Sequence, residues 1–260
     1  MTLITRLPYA VADAAPPLDI TSEEIDIYRS GLVSAWYRAA DGYDPALGWA
    51  DRMGVKGRLA PVTVMPSKTT GSLYNNREII DFGTGSTSGD LSVVNVLPNA
   101  ASFSVAFVGR TSPGTAAYLW GSDETDVSAT SGTWLQHLAD GALQLRIGGV
   151  NAVLNTGGQG NYFTPNPPMV IASWDQILRQ GQLRTNRGAV VKTGGTLTAG
   201  TDNNSTTLHV GAATPSSLGR NPGDMAEIIV FPVALSAAAN ASLLAKVETY
   251  LGVRYGIAAL

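Results

Sequence analysis

The chain of 260 residues has a formal net charge of −3, and only 14% of its residues are charged. It lacks the concentrated positive charge that neutralises phosphates, which argues against a nucleic-acid-binding protein. Its apolar runs are of strand length, too short to span a membrane, and the absence of cysteine excludes disulfides, zinc–thiolate sites and thiol nucleophiles.

Residues 1–20 are apolar and rich in proline, but they have neither helical nor strand periodicity, which predicts an extended arm. Asp13 and several prolines interrupt the continuous apolar core that a secretory signal needs, so no export signal is expected. Such a segment gains structure when a partner docks it.

A capping box follows the arm, because Thr21 and Glu24 have the spacing that lets the threonine oxygen accept the glutamate amide. It predicts a short helix that reaches about Tyr28. We therefore assign residues 1–31 to an arm and short helix that dock or anchor the protein, and residues 32–260 to one β domain.

The abundance of glycine (29) and proline (14) is typical of many short strands joined by turns. The run from Ser102 to Arg110 alternates cleanly, with Phe103, Val105 and Phe107 on one face. Further strands are predicted at the spacing of a sandwich: 32–37, 117–121, 133–137, 142–148, 169–175, 182–186, 189–192, 206–211 and 223–231.

The C-terminal segment reads as a strand, a proline turn and one helix. Ser236 is the expected N-cap of this helix, and Gly252 suits the position just past its end. Apolar positions recur at three- and four-residue steps and predict one buried face: Leu243 or Leu244, Val247 and Leu251.

The motifs at the two ends of the domain resemble those of concanavalin A-like lectin/glucanase domains, in particular laminin-G-like domains of bacterial and bacteriophage proteins. They are Trp36–Ala39 and Trp49–Arg52 at the start, and Gly223–Glu227 with Tyr250–Leu251 and Tyr255–Gly256 at the close. The resemblance implies an all-β fold: an antiparallel β-sandwich of jelly-roll type with an N-terminal extended arm and one C-terminal helix.

Within that superfamily, chains without cysteine or an export signal look most like bacteriophage virion proteins. The resemblance therefore implies a non-enzymatic virion surface protein, a capsid decoration or tail-associated component made in the host cytoplasm. Residues 1–20 would bind other virion proteins, and a homo-oligomer such as a trimer would be the natural displayed form.

The alternative interpretation is a carbohydrate-binding or receptor-recognition module that binds a host-surface glycan. Tyr118, Trp120 and Trp134 are its candidate ligand-binding residues, because aromatic rings stack on the C–H faces of sugars. A tryptophan within a strand is more often part of the core, as we expect for Trp36 and Trp174.

Asp123 and Asp126 belong to the densest acidic cluster of the sequence and are candidate ligands for Ca²⁺, which prefers oxygen ligands on loops. An ordinary solvated turn explains the same residues, and the spacing is not that of an established calcium loop. No other cofactor is expected.

A glycoside hydrolase on this fold is the third hypothesis. The catalytic strand of the glucanases reads Glu-x-Asp-x-x-Glu, and the nearest match, Glu24–Arg29, has an arginine in place of the last carboxylate. We expect Glu24 to cap the first helix and Asp26 to be solvated. Asp224 and Glu227 are expected on opposite faces of an alternating strand, so no catalytic residue is assigned.

Overall fold

The computed structural model describes residues 20–62, 64–83, 89–98, 101–111, 116–122, 132–147, 153–155, 169–186, 189–194, 206–212 and 223–258. The helices are α1 (Ser22–Arg29), α2 (Ala39–Gly42) and α3 (Ala241–Tyr255). The strands are β1 (Ala35–Arg38), β2 (Tyr43–Asp44), β3 (Gly48–Trp49), β4 (Ala60–Pro61), β5 (Ser67–Gly71), β6 (Arg77–Asp81), β7 (Leu91–Val93), β8 (Phe103–Thr111), β9 (Ala117–Gly121), β10 (Thr133–His137), β11 (Leu143–Ile147), β12 (Val153–Asn155), β13 (Met169–Asp175), β14 (Gln180–Thr185), β15 (Ala189–Thr193), β16 (Leu208–Val210) and β17 (Gly223–Phe231).

Two antiparallel sheets form within the described residues. The first sheet has eight strands in the order β15-β14-β13-β8-β17-β6-β5, with β1 beside β17, and the second sheet has seven in the order β12-β11-β10-β9-β16-β7-β4. Strands β2 and β3 form a separate short pair. The predicted antiparallel β-sandwich with a C-terminal helix is confirmed.

The strand alternation predicted from Ser102 to Arg110 divides β8 between two apolar layers. Phe103, Val105 and Phe107 face the core between the sheets, whereas Ala106 and Val108 face the layer under the helices. Trp174 is buried in the core between the sheets and Trp36 in the helix-covered layer, as expected.

The outer face of the first sheet is covered by α1 and α3. Ile27 of α1 and Val247 and Leu251 of α3 are fully buried in the same apolar cluster as Ala106 and Ile229 of the sheet. Leu243 faces this cluster, and Leu244 is only partly buried against it. The predicted apolar face of α3 is therefore correct, and it is buried because the sheet beneath it is apolar on this side as well.

The ends of the helices agree with the sequence at α1 and differ at α3. The hydroxyl of Thr21 accepts the Glu24 amide N–H at 3.2 Å, as predicted. The expectation that the Glu24 side chain caps this helix is wrong, because its carboxylate binds Arg38 and Arg52 instead.

Ser236 does not cap α3, because a 3₁₀ turn at Ala238–Asn240 lies between Ser236 and the start of α3 at Ala241. Gly252 lies inside the helix, which ends at Tyr255. Gly256 follows it, and its φ of 65° is the left-handed conformation that favours glycine.

Asp224 and Glu227 lie on the same face of β17, which corrects the expectation that they point to opposite faces. A β-bulge is the reason: Met225 pairs with Gly109 and Glu227 with Val108, leaving Ala226 as an extra residue. Both carboxylates therefore point toward the helix-covered side of the first sheet.

No helix within the described ranges is both long and apolar enough to cross a membrane.

Candidate functional site

A fully buried carboxylate, that of Glu227, is the centre of a polar network beneath α3. It accepts hydrogen bonds from the hydroxyl of Tyr250 at 2.8 Å, from that of Tyr255 at 2.5 Å, and from the indole N–H of Trp36. The guanidinium of Arg254 lies 3.8 Å away. The carboxylate thus joins β17 to β1 and α3.

Arg38 extends this network to the N-terminal helix. Its guanidinium donates to the Glu24 carboxylate at 3.0 Å, to the Tyr250 hydroxyl at 3.1 Å and to Asp41. Arg52 donates to the same two acids, at 2.7 Å to Glu24 and at 2.9 Å to Asp41. Two arginines and two carboxylates therefore bind α1 and α2 to the first sheet.

The network keeps its tyrosines protonated and buries the carboxylates of Glu24 and Glu227. Burial, together with the negative charge of Glu227, raises the pKa of Tyr250 and Tyr255 well above the ordinary value, so both hydroxyls remain donors at neutral pH. Because Glu227 has 0% exposure, a polymeric substrate has no access to it. We interpret the network as structural.

Glu24 and Asp26, the nearest sequence match to a glucanase motif, are separated in space and in environment. The Glu24 carboxylate is buried between the two arginines, whereas Asp26 is on the surface and pairs with Lys246 at 2.8 Å. Retaining hydrolysis needs two carboxyl groups that face one another across the substrate. These two do not have that arrangement.

Asp224 also serves the architecture of the first sheet. The hydroxyl of Tyr74 donates to one carboxylate oxygen, and Arg110 Nε donates to the other at 2.9 Å. Burial raises the pKa of Asp224, although both donors favour the charged form and oppose that rise.

The outer face of the second sheet carries a different set of side chains. On β10 and β11 the core residues Leu135 and Leu145 alternate with residues that point outward. Cross-strand pairing places the outward residues side by side, since Trp134 pairs with Arg146 and Gln136 pairs with both Gln144 and Tyr118. We call this set the outer-face cluster: Tyr118, Trp134, Gln136, Gln144 and Arg146.

Two aromatic rings and a guanidinium contact one another in the outer-face cluster. The guanidinium carbon of Arg146 lies 4.9 Å from the ring centroid of Trp134, and the Tyr118 ring meets Trp134 edge-on at 6.3 Å. Burial raises the pKa of Tyr118 against an opposing effect of the Arg146 charge, so its hydroxyl is protonated at neutral pH. Trp134 is only 1% exposed, whereas the other four members are partly exposed.

The three aromatic residues predicted to bind a ligand do not lie together. Leu119 is an extra residue at a bulge in β9, so Trp120 pairs with Leu135 while Tyr118 pairs with Gln136. Trp120 consequently points into the core, is 0% exposed and packs edge-on against Phe103. The structure places Tyr118 beside Trp134 and separates both from Trp120.

Sequence reasoning missed the polar half of the outer-face cluster. The signal was the alternation of leucine and isoleucine with Gln144 and Arg146 along β11, which is typical of a strand with one exposed face. Asp123 and Asp126, the candidate calcium ligands, lie outside the described residues. Within the described ranges, no group of three or more histidine or acidic side chains is arranged to hold a metal ion.

No protein-family model and no curated protein matches this sequence. Solved structures do resemble the fold. The binding domain of Paraclostridial Mosquitocidal Protein 1 matches with a TM-score of 0.60 and 13% identity over 87% of this chain and 53% of that one. The binding domain of botulinum neurotoxin DC matches with a TM-score of 0.57 and 13% identity over 86% of this chain and 52% of that one.

A sialidase of Trypanosoma rangeli is also similar, with a TM-score of 0.58 and 10% identity over 95% of this chain and 36% of the sialidase. The chain thus spans about half the length of the two binding domains, at 53% and 52%, and less of the enzyme. These likenesses establish the fold alone, a β-sandwich of the lectin-like kind.

We expect Glu227→Ala to lower the free energy of unfolding by about 3–5 kcal/mol, because it leaves buried hydroxyl donors without their acceptor and Arg254 without its ion-pair partner. Tyr250→Phe removes one hydroxyl from the same network and should cost about 1.5–3 kcal/mol. Urea unfolding measures both changes.

The surface variant Asp26→Asn is the matched control and should change stability by about 0.5 kcal/mol or less. A Glu227→Ala protein as stable as the wild type would show that the network does not hold α3 to the sheet.

Low pH should lower the free energy of unfolding of the wild type, partly through protonation of Asp41. Burial alone would raise the pKa of Asp41, but the hydrogen bond from Arg38 and the charges of Arg52 and Arg38 outweigh it and lower the pKa. A lowered folded-state pKa gives stability that is present above the ordinary aspartate value of 3.8 and is lost as pH falls below it toward the folded-state pKa.

Unfolding measured between neutral pH and pH of about 2 should therefore show a smaller acid loss for Asp41→Asn than for the wild type. Parallel pH profiles for the two proteins would contradict this assignment.

Proposed function

We propose that the protein is a non-catalytic binding module that recognises carbohydrate through the outer-face cluster. The observation that carries the proposal is the meeting of Tyr118, Trp134 and Arg146 with two amide side chains on one sheet face. Sugar rings present C–H faces that pack on aromatic rings, and their hydroxyls bond to amides, guanidinium and tyrosine hydroxyl groups. The cluster supplies each of these partners.

Two structural neighbours support a glycan ligand by analogy. The binding domain of botulinum neurotoxin DC has been solved in complex with SialylT. Another neighbour is botulinum neurotoxin type C, whose uptake into cells depends on interaction with two ganglioside molecules. Since identities are 12–13%, the analogy concerns the use of such a sandwich in glycan binding and not the residues of the site.

The arrangement of the acids supports a module without catalysis. None of the five residues in the outer-face cluster is a carboxylic acid, so the cluster lacks the acid pair of a retaining glycosidase. The buried acids Glu24 and Glu227 are committed to arginines and tyrosines beneath the helices. A glycan bound at the cluster would therefore be released chemically unchanged.

We expect Tyr118→Ala to reduce binding on a glycan array by roughly tenfold or more, because it removes a partly exposed aromatic ring and a hydroxyl donor. The matched control is Tyr28→Ala, since Tyr28 is a 40%-exposed aromatic on α1, which covers the first sheet. Titration of the bound glycan with each purified protein gives the dissociation constants.

Equal losses of glycan affinity in the two variants, or no loss in Tyr118→Ala, would count against the outer-face cluster as the binding site. An array with no bound glycan, from a protein that is folded by circular dichroism, would contradict the proposed function itself.

We propose further that the module is displayed on a bacteriophage virion and anchored by residues 1–20. Of these residues only Ile20 is described, so the support comes from geometry nearby. Helix α1, which follows the arm, packs on the first sheet, on the opposite side of the sandwich from the outer-face cluster. An arm docked on a capsid or tail protein would leave the cluster facing outward.

Three further expectations from the sequence stay predictions. They are a small homo-oligomer such as a trimer, a calcium site at Asp123 and Asp126, and the laminin-G-like relationship.

Deleting residues 1–20 should abolish co-purification of the protein with assembled phage particles and leave glycan binding unchanged, because α1, which follows the arm, packs on the side of the sandwich opposite the cluster. Sedimentation of particles from cells that produce the full or shortened chain measures attachment. Attachment of the shortened chain at the wild-type level would contradict the display hypothesis but not glycan binding.

A further inference from the structure

We infer that the ligand of the outer-face cluster is an acidic sugar, whose anionic group is bound by Arg146. This inference rests on the proposed function and adds to it the charge of the ligand and the residue that selects it. Its basis is the contrast between Arg146 and the other arginines of the fold.

Most arginines with a described contact have a carboxylate partner. Arg184 pairs with Glu248 at 2.9 Å, and Arg110 pairs with Asp224 at 2.9 Å. The arginines beneath the helices pair with acids in the same way. In the part of the chain that the structure describes, Arg146 has neither an ion pair nor a hydrogen bond, and its Nε is buried without an acceptor.

The guanidinium of Arg146 is also held in position before any ligand binds. It lies over the ring of Trp134, which is itself buried, so a cation–π contact with a fixed ring holds the guanidinium in place. A guanidinium fixed in this way loses little conformational freedom when it binds a carboxylate or sulfate through two parallel N–H···O bonds.

The neighbours of Arg146 favour an anion as well. The amide groups of Gln136 and Gln144 and the hydroxyl of Tyr118 can all donate hydrogen bonds, and Tyr118 is protonated at neutral pH. The five-residue cluster therefore combines one cation with neutral donors and contains no acid. Its chemistry fits a sugar that has a carboxylate or sulfate beside its hydroxyls.

The test is a glycan array with carboxylated, sulfated and neutral glycans, followed by titration of the bound glycans with variants. We expect acidic glycans to bind, and Arg146→Gln to weaken them roughly tenfold to a hundredfold, as loss of a charged hydrogen bond does. Arg146→Lys keeps the positive charge but lacks the planar guanidinium, so its affinity for acidic glycans should lie between those of Arg146→Gln and the wild type.

Arg29→Gln is the matched control, because it removes the same charge from an exposed position on α1, which covers the first sheet. A second arm changes the ligand instead of the protein. One treatment reduces the carboxyl group of a bound glycan to an alcohol, and the other removes its sulfate. The treatment that removes the recognised anion should abolish the difference in affinity between the wild type and Arg146→Gln. This arm stays informative even if Arg146→Gln folds poorly.

Binding of neutral glycans alone, at equal strength by wild type and Arg146→Gln, would overturn this inference and leave the proposed function standing. Acidic glycans that bind equally to the wild type and to a folded Arg146→Gln would also overturn it. A blank array would contradict the proposed function and this inference together.

Discussion

Burial of the Glu227 carboxylate constrains the rest of the structure. A fully buried carboxylate is costly unless charged or hydrogen-bonding partners surround it, and removal of such partners typically costs several kcal/mol. The hydroxyls of Tyr250 and Tyr255 and the indole of Trp36 supply those partners. Because the tyrosines belong to α3 and the indole to β1, α3 must pack on this face of β17 and β1 must lie beside β17 in the sheet. The bulge at Ala226 makes this possible by turning Glu227 toward the helix.

This packing gives the two faces of the sandwich different roles. The outer face of the first sheet is occupied by α1 and α3, and its polar groups are committed to one another. On the outer face of the second sheet, the outer-face cluster combines two amides and two aromatic rings with Arg146, and four of its five residues are partly exposed. The network that holds the helices and the proposed binding surface thus lie on opposite sides of the sandwich, so changes in the outer-face cluster need not disturb that network.

Within the outer-face cluster, Trp134 and Arg146 have complementary roles. The indole is buried and serves as a support, while Arg146 above it is partly exposed as a residue and its guanidinium lacks an acid among the described residues. Tyr118 adds a ring edge and a hydroxyl beside them. Under the proposed function, a preorganised cation with neutral donors around it would distinguish an acidic sugar from a neutral one at little entropic cost.

The sequence by itself determined the class of fold, the helix cap at Thr21 and the burial of Trp36 and Trp174. These follow from local patterns, namely alternation, capping chemistry and the apolar character of strands. It did not determine which residues share a face, because one extra residue at a bulge reverses every side chain beyond it. The bulge in β9 separated Trp120 from Tyr118, and the bulge in β17 brought the carboxylates of that strand together. Bulges depend on pairing between strands distant in sequence, so only the tertiary structure decided the members of the site.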